Sequence, residues 1–94
     1  MSTPDVRVGP VLLDGEVSRA VVAAIRELND DVDVQDRGAY LRVEVPRRCV
    51  VTRAAIERAT GRPFRLPGDL ECIMPSFKGR LSIAEDSVIW EVRR

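Results

Sequence analysis

The sequence predicts a small α+β domain: a mainly antiparallel sheet with two helices on one face, in the order strand, helix, strands, helix, strands. Three observations predict it. Apolar residues recur at helical spacing from Val17 to Leu28, and a shorter helical stretch follows Thr52 and closes on Gly61. The segments around these two alternate apolar and polar residues and are bounded by turn formers. Ninety-four residues with 45% apolar content suffice for one core, and the chain is read as one domain over residues 1–94.

The elements follow in order. Residues 1–5, with Ser, Thr, Pro and Asp and no periodicity, read as a loose arm. Val6 to Leu13 is extended, and Gly9-Pro10 inside it places the strand at an edge or a bend. Asp14 is a plausible N-cap for a helix whose inward face is Val17, Ala20, Val21, Ala24, Ile25 and Leu28. Val32 to Gln35 and Ala39 to Val45 read as two strands joined by a turn at Asp36-Arg37-Gly38. In the second, Leu41, Val43 and Val45 face one way and Tyr40, Arg42 and Glu44 the other. Pro46 halts that run, and Cys49 to Val51 is a short apolar extended piece. Thr52 caps the second helix, with Ala55, Ile56 and Ala59 inward, Gly61 at its C-terminal stop and Phe64 folding back as a core plug. Leu66 to Glu71 can form one more helical turn. Ile73 to Phe77, Arg80 to Ala84 and Ser87 to Val92 read as strands, with Val88, Trp90 and Val92 on one face.

Composition removes several classes of function. There is no histidine, hence no Ser–His–Asp or Cys–His arrangement and none of the commonest metal ligand. Two cysteines cannot hold an iron–sulfur cluster or a four-cysteine zinc site. No glycine-rich phosphate loop is present. The acidic group Asp30, Asp31, Asp33 and Asp36 lacks the calcium-loop pattern and reads as a solvated turn. Neither catalysis nor a bound cofactor is expected. Cys49 and Cys72 both sit among apolar residues and are expected to be buried free thiols. Together with the absence of a signal peptide, that implies a reduced, cytoplasmic protein.

The charge is balanced in total but not along the chain. Residues 1–45 carry five Arg against nine Asp and Glu, a formal −4, and residues 46–94 carry ten Arg and Lys against six, a formal +4. Two solvated faces account for that, and so does a molecule that orients itself against a charged partner. Zero net charge and four aromatic residues argue against nucleic acid, and the lack of a long apolar run argues against a membrane.

One string is distinctive. Asp36-Arg37-Gly38-Ala39-Tyr40-Leu41-Arg42-Val43 opens it. Val51-Thr52-Arg53 and Thr60-Gly61-Arg62-Pro63-Phe64 follow, and Pro75-Ser76-Phe77-Lys78-Gly79-Arg80 closes it. In order and spacing, from Val8 to Trp90, the chain resembles the regulatory (coupling, or effector) proteins of soluble diiron monooxygenases. Val8-Gly9-Pro10-Val11 and Ser76-Phe77-x-Gly79 resemble the toluene, alkene and isoprene branch most. The resemblance implies a cofactor-free component that binds a separate diiron hydroxylase, fed by a reductase and often a ferredoxin. Such a component couples electron consumption to hydrocarbon oxygenation. It also implies that the segment Ile73 to Arg80 faces the hydroxylase, so that Ile73, Pro75, Ser76, Phe77, Gly79 and Arg80 are candidate contacts. Tyr40 and Arg42 join them from the polar face of their strand. Phe77 reads equally as anchor or core residue. The methane branch has small polar side chains where this chain has Pro75 and Phe77, so its substrate-gating rules do not transfer. A competing reading is a small ligand-sensing domain of ferredoxin-like topology, whose pocket would need Gly38 or Gly79.

Overall fold

A computed structural model of the chain describes residues 6–93, so the arm expected at residues 1–5 lies outside the described residues. The strands are β1 (Arg7–Leu13), β2 (Asp33–Asp36), β3 (Tyr40–Pro46), β4 (Arg48–Thr52), β5 (Ser76–Lys78), β6 (Arg80–Ile83) and β7 (Ser87–Glu91). The helices are α1 (Glu16–Leu28), α2 (Arg53–Thr60) and the single turn α3 (Gly68–Glu71). The α+β class and the element order are as the sequence predicts. The one sheet it suggests divides into two antiparallel sheets, ordered β2-β3-β1-β5 and β4-β7-β6. α1 packs on α2 and on β4.

The core lies between the sheets and under the helices. Leu41, Val43 and Val45 from β3 meet Val8 and Leu12 from β1, Cys49 and Val51 from β4, and Val88 and Trp90 from β7, all at most 3% exposed. Thr52 caps α2 through its hydroxyl, which accepts from Ala55 N at 3.1 Å. Gly61 ends that helix in the left-handed conformation (φ 72°). Phe64 returns as the expected plug, with its N–H donating to Glu57 Oε2 at 2.8 Å.

Several expectations need correction. β1 is an internal strand, flanked by β3 and β5, so of the edge or bend that Gly9-Pro10 suggested, the edge is ruled out. Pro10 is tolerated there because the pairing with β3 passes from Val8–Val45 to Val11–Arg42 without laddering Gly9 or Pro10. Gly9 (φ 149°) is required at the same place, since a Cβ would run into the carbonyl oxygen of Val43. α1 begins after Gly15 with no side-chain cap, while Asp14 instead forms an ion pair with Arg19 at 2.8 Å. The buried face of α1 is Ser18, Val21, Val22, Ala24 and Ile25, leaving Val17 and Leu28 exposed. Ile73 to Phe77 is not one strand. Ile73 N donates to Leu70 O, so residues 73–75 continue the turn after α3, and pairing starts only at Ser76. Cys72 ends α3 within that turn and is exposed, because apolar neighbours in a turn need not share a buried face.

Candidate functional site

The strand registers bring part of the candidate set onto one surface, the outer face of the four-stranded sheet. Residues directly opposite in adjacent strands share a face. One row runs Gln35, Arg42, Val11, Ser76 across β2, β3, β1 and β5. The next pairs Tyr40 with Leu13, whose N–H donates to Ile73 O at 2.8 Å and so ties the turn after α3 to the end of β1. A third row carries Asp33, Glu44 and Lys78, with Gly9 between the last two. Because Gly9 has no side chain, Lys78 Nζ and Glu44 Oε2 approach to 3.8 Å across the gap. The resulting open groove, about 330 Å³, is lined by Gly9, Val11, Arg42, Glu44, Ser76 and Lys78 among others.

Local structure explains why Tyr40 and Arg42 are presented there. In the β2–β3 turn the Asp36 carboxylate accepts from Gly38 N at 2.8 Å and from Arg19 Nη2 at 3.4 Å. The Gly38 bond, and then Arg19, hold that carboxyl below its ordinary range. Gly38 takes φ 83°, and Arg37 N donates to Tyr40 O at 2.9 Å. Tyr40 therefore starts β3 half-buried beside Leu13, which is 46% exposed, and Arg42 follows fully on the outside.

The other candidates lie elsewhere. Phe77 pairs with Pro10, on the face opposite Ser76 and Lys78. It is 41% exposed, so it is not a core residue. Proline has no N–H. The β1–β5 hydrogen bonds therefore run through the flanking pairs, and the N–H and C=O of Phe77 point off the sheet edge. Pro75 is exposed just before this edge strand, where a proline is compatible with pairing. Ile73 is half-buried against the core. Gly79 is where the chain leaves one sheet for the other. At φ 104° a Cβ there would stand 2.6 Å from Glu91 O and 2.7 Å from Val8 Cγ1. Arg80 begins β6 in the second sheet, opposite Glu91.

Sequence reasoning missed Val11, Leu13, Glu44 and Lys78 on this surface. The signal was present: alternation that sends Val8 and Leu12 inward sends Val11 and Leu13 outward. The outer face offers an exposed leucine, a tyrosine ring, an arginine and one ion pair. With no histidine in the chain, no imidazole can activate Ser76. Aromatic and arginine side chains around a small apolar centre are the composition of a protein-binding surface. The ligand-sensing alternative gains nothing, since Gly79 is packed and Gly38 stands in open space.

Comparison with known proteins bears on what docks there. Residues 6–91 match the MmoB/DmpM family. The effector subunit of an alkene monooxygenase system from Xanthobacter autotrophicus is 42% identical over 85 residues, covering 88% of this chain and 83% of that protein. Two solved structures of a phenol hydroxylase–regulatory protein complex contain a chain of the same fold. One superposes with a TM-score of 0.81 at 25% identity, covering 93% of this chain and 98% of that one. The other gives 0.76 at 27% identity, covering 90% and 98%.

Proposed function

The chain belongs to the MmoB/DmpM family, and from that premise we propose that it binds the hydroxylase of its monooxygenase through the outer face of the four-stranded sheet. It is an effector, or regulatory, subunit of a multicomponent monooxygenase and not the catalytic component. The observation that carries this is the 42% identity with an alkene monooxygenase effector over almost the whole chain. The docking surface centres on Tyr40, Arg42 and Ser76 with Val11, Leu13 and Lys78, and Pro75 and Phe77 form its rim. The eight candidates read from the sequence thus divide, with Ile73 and Gly79 acting as supports that position the surface and Arg80 lying apart from it in the second sheet. Bound there, the protein couples electrons delivered by a reductase, directly or through a ferredoxin, to oxygen activation at the diiron centre of the hydroxylase. Alkenes or aromatic hydrocarbons are the substrate class, and the complex works in the cytoplasm. No described helix is long and apolar enough to cross a membrane.

The test is reconstitution. Hydroxylase and electron-transfer components are assayed for oxygenated product per NADH consumed, with and without this chain. The ratio and the rate should both rise to a plateau as the chain approaches stoichiometry with the hydroxylase. Turnover that does not respond to the chain contradicts the proposal.

A further inference from the structure

We infer that the end of the three-stranded sheet where β4 and β6 begin and β7 ends is a second docking element, a basic patch that takes an acidic surface of the hydroxylase. This rests on the effector reading above and extends it to residues outside the outer face of the first sheet. The strand registers place Arg48, Glu91 and Arg80 side by side on one face, in the order β4, β7, β6. Adjacent strands lie about 4.8 Å apart, so one carboxylate stands between two guanidinium groups. Arg47 precedes this row in a left-handed turn (φ 65°), and its carbonyl accepts from Val92 N at 3.0 Å, which brings Arg93 to the same end. Among the described residues, four arginines thus share this end of the sheet with one acid, Glu91, and all four are exposed. Among the described residues that acid forms one ion pair, Arg48 Nε to Glu91 Oε2 at 3.6 Å, and Arg47, Arg80 and Arg93 form none.

The acidic half of the chain behaves differently. Asp31 is paired with Arg7 at 3.1 Å, Asp14 and Asp36 with Arg19, and Glu27 with Arg58. Among the described residues of the acidic half, Asp14, Glu27, Asp31, Asp36 and Glu44 are held in ion pairs, whereas Arg47, Arg80 and Arg93 at the basic end are in none. A second copy of this chain is disfavoured as the occupant, because of the described acids in that half only Glu16, Asp30 and Asp33 are left outside ion pairs. Nucleic acid is disfavoured for a different reason: the patch has no exposed aromatic ring for bases to stack on. The hydroxylase is favoured by continuity. Lys78 lies on the outer face of the first sheet, and Arg80 opens the patch two residues later. Gly79 between them is packed against Glu91 O and Val8. The two surfaces are held in fixed relation and can meet one partner together.

The experiment measures affinity of the full chain for its hydroxylase at about 0.01 M and about 1 M ionic strength, between which the screening length falls from roughly 30 Å to 3 Å. The Arg48→Glu, Arg80→Glu double variant should bind about tenfold or more weaker at low salt and nearly as well as wild type at high salt, with Arg48→Lys, Arg80→Lys close to wild type throughout. If the double variant folds poorly, Arg80→Ser with Arg93→Ser asks the same question without a new carboxylate beside Glu91. Equal binding of variant and wild type at low salt overturns the inference and leaves the effector reading intact. So does a loss that is the same at both ionic strengths, or a salt-sensitive self-association of the wild type that the variants abolish. Wild type that fails to bind or stimulate the hydroxylase at any ionic strength overturns both.

Discussion

On the inner face of the four-stranded sheet, Val8, Leu12, Leu41, Val43 and Val45 are at most 3% exposed. One residue along the same strands, the outer face presents Leu13 at 46%. The inner face is uniformly aliphatic, while the outer face mixes Tyr40, Arg42, Ser76 and the Glu44–Lys78 pair around Val11 and Leu13. Burial alone explains the first composition and not the second. With the outer face as the proposed docking surface, the difference predicts that the two faces fail in different ways when altered.

The largest effect belongs to the inner face. Leu41→Ala, at a site 2% exposed, should cost about 2–5 kcal/mol. For a domain of this size that lowers the melting temperature by roughly 10 °C or more. Stimulation of the hydroxylase, expressed per folded molecule, should be unchanged. A loss of stimulation with normal stability would place a functional contact inside the core and break the comparison.

Next comes the outer face. Tyr40→Ala combined with Leu13→Ser should weaken hydroxylase binding by roughly 2 kcal/mol, about thirtyfold in Kd, with a melting temperature within a few degrees of wild type. Phe77→Ala sharpens the same contrast at the rim. A fully buried phenylalanine costs about 3–5 kcal/mol on truncation, whereas a side chain 41% exposed should cost far less, about 1 kcal/mol. A drop as large as that of Leu41→Ala would return Phe77 to the core.

The smallest effect concerns the thiols. Only the thiolate attacks disulfide reagents. Burial pushes the Cys49 thiol up from 9.0 to about 12, whereas Cys72 is exposed. One thiol per native chain should therefore react with a chromogenic disulfide reagent near neutral pH, and the second only on unfolding. Blocking Cys72 should leave the melting temperature nearly unchanged. In the folded chain Cys49 keeps its proton to higher pH than in the unfolded chain. Its contribution is thus full below about pH 9 and is lost as pH rises toward 12. Two rapidly reacting thiols, or none, would contradict the placement of both cysteines.

Much of this was legible in the sequence where local rules act alone. Thr52 and Gly61 bound α2, Asp36-Arg37-Gly38 forms its turn, and Tyr40 to Val45 alternates as written, because caps, turns and strand pleats are set within a few residues. What was misread depends on distant contacts. Ser18 looks like a polar-face residue, yet it is 1% exposed, and this shifts the buried stripe of α1 by one position away from Val17. Gly9-Pro10 looks like an edge, but the close approach of Val43 makes the glycine necessary within an internal strand. Cys72 looks buried by its neighbours and is exposed because the chain turns there. Of the candidate contacts, Tyr40, Arg42 and Ser76 converge only through the pairing of β1 with both β3 and β5, a register that no local pattern encodes.

Backbone hydrogen exchange on the full chain, free and bound to its hydroxylase, tests the central claim most directly. Docking through the outer face should slow exchange in the segments 73–80 and 40–46. The Phe77 amide should change most, since its N–H points off the sheet edge and has no strand partner in the free protein. Exchange within α1 should stay as it is in the free chain. Protection confined to α1 and α2, with residues 73–80 unchanged on binding, would contradict the account.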